Sequence, residues 1–265
     1  MPLLPILLAV AARDLFLPVA GRIRDPLHDI RTTVTLRNTS PSEAHATVHF
    51  IPTAGTPTSP KSVDVAIPPN ATRDVDPFGD SYALGALRIT SDQALLANAR
   101  IGTPSSSASF DARSPKEAIT SGEAARLDGF TFTHAATETN RLYVIETAGD
   151  ALQYSVIVRN ADGRVVAQNV HLIHPFEQHG LDLDHDFPTL AAQNATVLIR
   201  GLNGGGSIVA AAAITKRANG EIAAREMNVT ERRNGGLSWP EKTAYAAISL
   251  FIIFYNRGTA LRRPA

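Results

Sequence analysis

Apolar and polar residues alternate along many short stretches of this chain, and this alternation limits the fold more than any other feature. In DIRTTVTLRN, residues 29–38, one face carries Ile30, Val34 and Leu36, and the other carries mainly arginine and threonine. A period of two is the period of a β-strand, in which successive side chains point to opposite faces. EAHATVHFIP and SVDVAIPP repeat the pattern, and no convincing amphipathic helix precedes the C-terminal tail. The alternation therefore predicts an all-β fold.

Turn-forming residues separate the predicted strands. The chain contains 18 glycines and 17 prolines, and 44% of its residues are hydrophobic, which is enough apolar material for a packed core. We expect turns at residues 91–93 and 148–150, and hairpins at residues 160–163 and 203–206. In the third of these, Gly163 is placed to adopt a positive φ, as hairpin turns require.

The two halves of the chain repeat the same order of strands and turns. DIRTTVTLRNTSPSEAHATVHF parallels TNRLYVIETAGDALQYSVIV, and GALRITSDQALLANARI parallels NATVLIRGLNGGGSIVAAAAI. The offset is about 110 residues, which is the size of a domain and not of a solenoid repeat. We therefore expect two tandem immunoglobulin-like (Ig-like) β-sandwiches, at residues 13–103 and 123–230. The serine- and proline-rich residues 104–122 are predicted to be a linker, and residues 231–265 a linker and an apolar, basic tail.

Several of these segments resemble a known group of proteins. The first half, through LFLPVAGRI, TTVTLRNTS, ATVHFIP, IPPNATRDV and GALRITSDQALLANARIGTP, resembles tandem Ig-like β-sandwich modules of exported, uncharacterised bacterial proteins. The second half, from NRLYVIETAGD through RNADGRVV to AAAAITKRANGE, is similar to the second module of such pairs. The resemblance implies an Ig-like fold and an extracytoplasmic setting, and it carries no catalytic residues to this chain.

Both ends of the chain are apolar. MPLLPILLAVAA, residues 1–12, has the apolar run and small residues of a signal peptide remnant but lacks its basic start; a misplaced start codon and a buried first strand are the alternatives. We expect a secreted, periplasmic or cell-surface protein. The apolar run from Ala244 to Tyr255 is too short for a helix that crosses a bilayer, which needs about 20 residues. It predicts a short helical tail and membrane association, or a hydrophobic end with no anchoring role.

Four of the eight histidines fall in VHLIHPFEQHGLDLDHDF, residues 170–187. Histidine and carboxylate ligands bind zinc, so His174, His179, Asp182 and His185 are the candidate metal ligands. No helix brings two histidines onto one face at zinc-binding spacing, and the matching stretch of the first half has no histidine. We therefore interpret the segment as a solvated polar loop and expect no metal or other cofactor. Two acidic clusters, one of Asp74, Asp76 and Asp80 and the other in LDLDHDF, residues 181–187, leave a calcium site open as an alternative.

Composition and motifs argue against several functions. The absence of cysteine excludes disulfides, thiolate metal sites and thiol catalysis. Lys and Arg together number 25, as do Asp and Glu, so nothing indicates a nucleic-acid partner. The glycines of GLNGGGS lie between predicted strands, whereas a phosphate-binding loop precedes a helix. We find no catalytic residues and expect that the protein is not an enzyme.

These observations favour a non-catalytic exported protein that acts as a structural or adhesive interaction module at the cell surface or in the periplasm. Its partner would be a protein or a glycan. A carbohydrate-binding module is the alternative, although one Trp and five Tyr offer few of the aromatic platforms on which sugars stack. A metal-dependent hydrolase that uses residues 171–186 is the third reading.

Overall fold

A computed structural model of the protein describes residues 12–24, 29–56, 61–78, 82–102, 106–133 and 137–232. The described residues form sixteen β-strands, a four-residue α-helix and a short 3-10 helix, so the predicted all-β fold is confirmed. The strands are β1 (Ala12–Arg24), β2 (Asp29–Asn38), β3 (Ala44–Pro52), β4 (Lys61–Ile67), β5 (Thr72–Val75), β6 (Ala83–Gly102), β7 (Ser107–Asp111), β8 (Ala124–Phe132), β9 (Glu138–Glu146), β10 (Leu152–Arg159), β11 (Val165–Ile173), β12 (Gln178–Asp182), β13 (Ala192–Gly204), β14 (Ile208–Lys216), β15 (Ile222–Glu226) and β16 (Asn228–Glu231). The 3-10 helix is Pro115–Glu117, and α1 is Leu183–Asp186.

The first seven strands form one antiparallel sheet in the order β4-β3-β6-β1-β2-β5, with β7 beside β6. The expected turn at residues 91–93 is wrong, because β6 continues through it. Up to Ser91, β6 pairs with β1 and β3, and after Leu95 it pairs mainly with β2 and β7. No glycine or proline interrupts the strand there, and Asp92 Oδ1 accepts a hydrogen bond from the backbone N–H of His45 at 2.8 Å. The strand therefore changes partners without ending.

Strand β7 lies inside the segment that was expected to be a linker, residues 104–122. Ala108 and Phe110 are buried, whereas Ser107 and Ser109 are exposed. This is a period-two pattern, but small serines make it inconspicuous in the sequence. The linker prediction is therefore wrong for this part of the segment, which completes the first sheet and its core.

The second half of the chain forms two antiparallel sheets, β11-β10-β13-β8-β16 and β12-β9-β14-β15. The turn at residues 160–163 joins the paired strands β10 and β11 with Gly163 at φ 78°, as expected. The expected turn at residues 148–150 is present and leads from one sheet to the other. Residues 203–206 also lead from one sheet to the other, so the hairpin expected there is wrong. Turn residues reverse the chain in both cases, and only the packing of the strands decides which sheet the chain enters.

The two halves pair their strands in the same sequential order. In the first half β4-β3-β6-β1 are neighbours, and the second half repeats this order as β11-β10-β13-β8. Strand β2 lies between β5 and the C-terminal part of β6, and β9 likewise lies between β12 and β14. The single long strand β6 thus corresponds to two strands of the second half. Its pairings with β3 and β1 match those of β13, and its pairings with β2 and β7 match those of β14.

Strand β14 is buried on both faces. Ala210 and Ala212 belong to the core of the second half, and Ala211 and Ala213 pack in the core of the first half. Tyr143 of β9 also packs in the first core. Alanine side chains are small enough for a backbone to pack closely on both sides. The described residues as far as Glu231 form one compact unit.

Polar contacts also join the two halves. Glu226 accepts hydrogen bonds from the Arg113 guanidinium at 2.8 Å and from the backbone N–H of Asp111 at 2.6 Å. The buried side chain of Gln178 donates to the carbonyl of Pro18 at 3.2 Å. These contacts connect residues of the first half directly to residues of the second.

The predictions for the two ends fall largely outside the described residues. Residues 1–11 and the run from Ala244 to Tyr255 are not described, and Ala12 already begins β1. Of the second compact unit, Arg232–Ala265, only Arg232 is described. Within the part of the chain described here, no helix has the length and apolar character needed to cross a bilayer.

Candidate functional site

The histidine-rich segment forms the open edge of the second half. His171 lies on β11 and His179 on β12, which are the edge strands of the two facing sheets. His174 is exposed in the turn between these strands, and His185 is exposed in α1. The structure therefore brings together two of the four histidines. These two are half-buried, whereas the sequence predicted a solvated loop.

His171 and His179 meet over the ring of Tyr154, which projects from β10 and is fully buried. The Tyr154 ring stacks on His171 with centroids 5.3 Å apart, and its hydroxyl oxygen lies 2.9 Å from Nδ1 of His179. The two imidazole rings are 6.3 Å apart, edge to face. On its other side, Nε2 of His179 lies 3.4 Å from a carboxylate oxygen of Glu177. The four side chains form a continuous polar contact between the two sheets.

Burial shifts the pKa values of these groups toward their neutral forms. The pKa of His171 is lowered by desolvation and then by the nearby His179, and the Asp186 carboxylate opposes part of the shift. Desolvation also lowers the pKa of His179, against the Glu177 carboxylate, which raises it. The pKa of Tyr154 is raised by burial and by the charges of Glu177 and Asp186. Two neutral imidazoles and a neutral phenol are therefore the stable state near pH 7.

The four candidate metal ligands do not meet at one point. His179 and Asp182 are three residues apart on β12 and so lie on opposite faces of the strand. Asp182 caps α1, where Oδ1 accepts a hydrogen bond from the backbone N–H of His185 at 3.2 Å. His174 remains in the exposed turn. The described residues contain no group of three or more His, Cys, Asp or Glu side chains arranged to hold a metal.

In the acidic cluster of residues 74–80, the described carboxylates make local contacts. Asp74 accepts a hydrogen bond from the Thr35 hydroxyl at 2.7 Å, across the pair β2 and β5. Asp76 accepts one from the backbone N–H of Phe78 at 2.9 Å, as in a side-chain-stabilised turn. Asp80 lies outside the described residues.

Sequence reasoning missed Glu146, a buried carboxylate at the end of β9. Its two oxygens accept hydrogen bonds from the backbone N–H groups of Ala148, Gly149, Phe176 and Ser207, at 2.7–3.1 Å. These donors belong to three different loops, which Glu146 therefore holds together at one end of the second half. A lone glutamate in the apolar run RLYVIET was the signal in the sequence, because a buried carboxylate requires such partners.

Strand β11 is a long edge strand with an exposed apolar face. Val165 and Leu172 are each 54% exposed and Val166 is 42% exposed, and its nine residues include no charge and no proline. The other outermost strands described are shorter or charged. They are β4 with Lys61 and Asp64, β5 with Arg73 and Asp74, β7 with Asp111, β12 with Asp182, β15 with Arg225 and Glu226, and β16 with Glu231.

An open polar groove lies near the turn that joins β10 to β11. Its volume is about 350 Å³, and its lining includes Arg126, Arg159, Asn160, Thr196 and Glu231, whose carboxylate pairs with a guanidinium at 2.9 Å. The Arg126 guanidinium pairs with Asp128 at 3.0 Å. Arg159 is exposed and makes no ion pair with any described residue. The groove therefore offers a cation and several hydrogen-bonding groups to solvent.

No family model and no curated protein matches this chain. Among solved structures, the apo form of the Pleurotus ostreatus lectin is 13% identical, covers 83% of this chain and 84% of its own, and has a TM-score of 0.20. The lectin from Pleurotus ostreatus in complex with GalNAc covers the same shares at 13% identity, with a TM-score of 0.17. At these TM-scores the similarity carries no argument about the function of this chain.

Proposed function

We propose that this chain is a non-catalytic, extracytoplasmic interaction protein built from two Ig-like β-sandwich modules, and that it binds its partner through the edge of β11. The exposed, uncharged β11 is the observation that carries the proposal. The shared pairing order of the two halves supports a duplicated module. The extracytoplasmic setting rests on residues 1–12 and on the resemblance to modules of exported proteins.

An edge strand presents a row of backbone N–H and C=O groups that can pair with another strand. Natural proteins protect such edges with charges, prolines, bulges or short length. β4, β5, β7, β12, β15 and β16 carry such protection, and β11 carries little beyond the register shift near Arg159. A strand added beside β11 would gain backbone hydrogen bonds, and Val166 and Leu172 would supply side-chain contacts.

Two buried groups with catalytic chemistry, Tyr154 and Glu146, are occupied by structural contacts, which is compatible with a binding role. The Tyr154 hydroxyl is buried against His179, and both Glu146 oxygens accept backbone hydrogen bonds. A nucleophile or general base must reach its substrate. These buried groups instead hold strands and loops in place.

Photo-crosslinking in the cells that make the protein tests this role. A photoreactive amino acid at Leu172 should yield a covalent adduct with a protein, because a partner strand would contact this side chain. The matched control is the same amino acid at Ala66, an exposed residue on the charged edge strand β4, which should yield much less adduct. Equal labelling at the two positions, or none at Leu172, would remove the basis of the proposal.

The groove at Arg159 favours a second candidate, the binding of an acidic saccharide. An unpaired guanidinium beside amide and hydroxyl groups can bind a carboxylate or sulfate. Aromatic platforms are scarce, since Tyr82, at 47%, is the one aromatic residue among the large exposed hydrophobics described. Calorimetry with uronic-acid oligosaccharides should show binding that Arg159→Gln weakens at least tenfold, with neutral oligosaccharides as the control. No heat with the acidic ligand would reject this candidate.

A further inference from the structure

We infer that the strand which pairs with β11 is β11 of a second copy of this chain. The two strands run antiparallel about a two-fold axis at Asn169 and join the two five-stranded sheets into one. This inference rests on the proposed role of β11 as a binding edge, and it names the partner.

The register follows from symmetry. Directly opposite residues of antiparallel strands point to the same face of the sheet. A two-fold axis perpendicular to the sheet therefore sets one residue directly opposite its own copy and runs midway between the two. Asn169 is the middle residue of β11, Val165–Ile173. The register shift near Arg159 interrupts regular pairing at the start of β11, and the register centred on Asn169 pairs the residues from Val166 to Leu172. It sets Val166 opposite Leu172 of the second copy, so each copy buries the exposed side chains of the other.

The charges around β11 are complementary in this arrangement. Arg164 precedes the strand, Arg159 lies beside the same end on β10, and Asp162 lies in the turn between them, so this end has a net positive charge. At the opposite end lie Glu177 and the exposed Asp150, which precedes β10. Antiparallel pairing sets the basic end of one copy beside the acidic end of the other. Parallel pairing would bring like ends together, and like charges at close range repel.

The strand itself carries no charge that opposes self-association. A charged residue near the middle of an edge strand would face its own copy at close range, and this is how natural proteins block such pairing. β4, the next longest of the edge strands, has Asp64 at its centre. Pairing through β11 therefore lacks the electrostatic penalty that protects the first sheet.

A cysteine at position 169 tests the register directly. The chain contains no cysteine, so any disulfide must come from the introduced residue. Directly opposite Cβ atoms in antiparallel strands are about 4.5–5.5 Å apart, close to disulfide geometry. Under mild oxidation, Asn169→Cys should form a covalent dimer. Val165→Cys is the control, because its two copies would lie eight residues apart, or about 26 Å, along the strands.

Charge exchange supplies an independent test by sedimentation equilibrium. The wild-type chain should sediment as a dimer. Val166→Lys combined with Leu172→Lys should sediment as a monomer, because each lysine faces another. Val166→Lys combined with Leu172→Glu should restore the dimer, because each lysine then faces a glutamate. Both variants should retain the strand content of the wild type, since the substituted side chains are exposed in a single copy of the chain.

The outcomes separate this inference from the proposed function. A wild-type chain that stays monomeric at all soluble concentrations, or an Asn169→Cys chain that forms no more dimer than Val165→Cys, overturns the second copy as partner. If Leu172 then crosslinks to a different protein in cells, the role of the β11 edge survives. If neither the second copy nor another protein is captured, both proposals fail.

Discussion

The hydroxyl oxygen of Tyr154 lies 2.9 Å from Nδ1 of His179, and this contact links the two sheets of the second half at their open edge. Tyr154 belongs to β10 and His179 to β12, so the contact crosses from one sheet to the other. His171 stacks on the same tyrosine from β11. The packing of the exposed strand β11 against the second half therefore depends in part on two neutral imidazoles.

Acidification should destabilise this edge. The folded protein lowers the pKa values of His171 and His179 below 6.5, so below that pH the unfolded chain binds more protons than the folded one. The contribution of these two histidines to the free energy of unfolding should thus be fully present above pH 6.5. It should be lost as the pH falls from 6.5 toward the lowered pKa values. Urea titrations at several pH values would measure this. His171→Phe, which keeps the stacked ring, should weaken the dependence.

The exposed His185 provides the control for that experiment. His185→Asn should leave the pH dependence of the unfolding free energy as it is in the wild type, because the ring lies in solvent. If His171→Phe and His185→Asn behave alike, the cluster at Tyr154 does not account for the loss of stability in acid.

Replacing Glu146 by glutamine should destabilise the second half. The side-chain amide keeps the shape but offers one oxygen where the carboxylate offers two, so backbone donors lose their acceptor. Such a loss costs about 1–3 kcal/mol or more for a charged group. Thermal denaturation would measure it, with Glu221→Gln as a control that loses only an exposed ion pair with Lys216 and should change stability much less. Equal effects of the two substitutions would contradict the role of Glu146.

Phe110 provides a test of the reassigned segment. If residues 107–111 are part of the sheet, Phe110→Ala removes a buried ring and should cost about 3–5 kcal/mol in unfolding free energy. The neighbouring Ser109→Ala faces solvent and should cost less than about 0.5 kcal/mol. A harmless Phe110→Ala would restore the original interpretation of the segment as a linker.

Enlarging Ala211 should separate the two cores. This residue is 2% exposed and packs against the first half, so Ala211→Leu has no space and should destabilise by about 1–3 kcal/mol. Ala66→Leu, at an exposed position, is the control.

Calorimetry of the wild type should show one transition with equal calorimetric and van't Hoff enthalpies. Two well-separated transitions in the wild type would mean that the halves fold independently.

Strand content was predictable from the sequence because alternation is a local property. Sheet membership was not, since it depends on which strands stack. Residues 148–150 and 203–206 have turn composition and reverse the chain, but they connect sheets and not paired strands. In β6, the polar residues 91–93 imitate a turn although the strand continues, because side chains such as Asp92 satisfy neighbouring backbone groups.

The site was less predictable than the fold. The sequence singles out the histidines of residues 170–187, but it does not indicate that only two of them would contact Tyr154. This contact follows from β10, β11 and β12 meeting at one edge, which is a long-range result of packing. The exposed face of β11 was easier to predict, since VVAQNVHLI has no charge, whereas each of the other edge strands among the described residues carries one.

The double burial of β14 also bears on how such a protein could change over generations. A gene segment can move to a new context only if the polypeptide it encodes folds there. Excising the second half would leave the core of the first without Tyr143, Ala211 and Ala213, and removing the first half would expose those same three side chains. The gene segment that can be transferred intact is therefore one that encodes both halves. Gain or loss of a single half should be rare among the descendants of this protein.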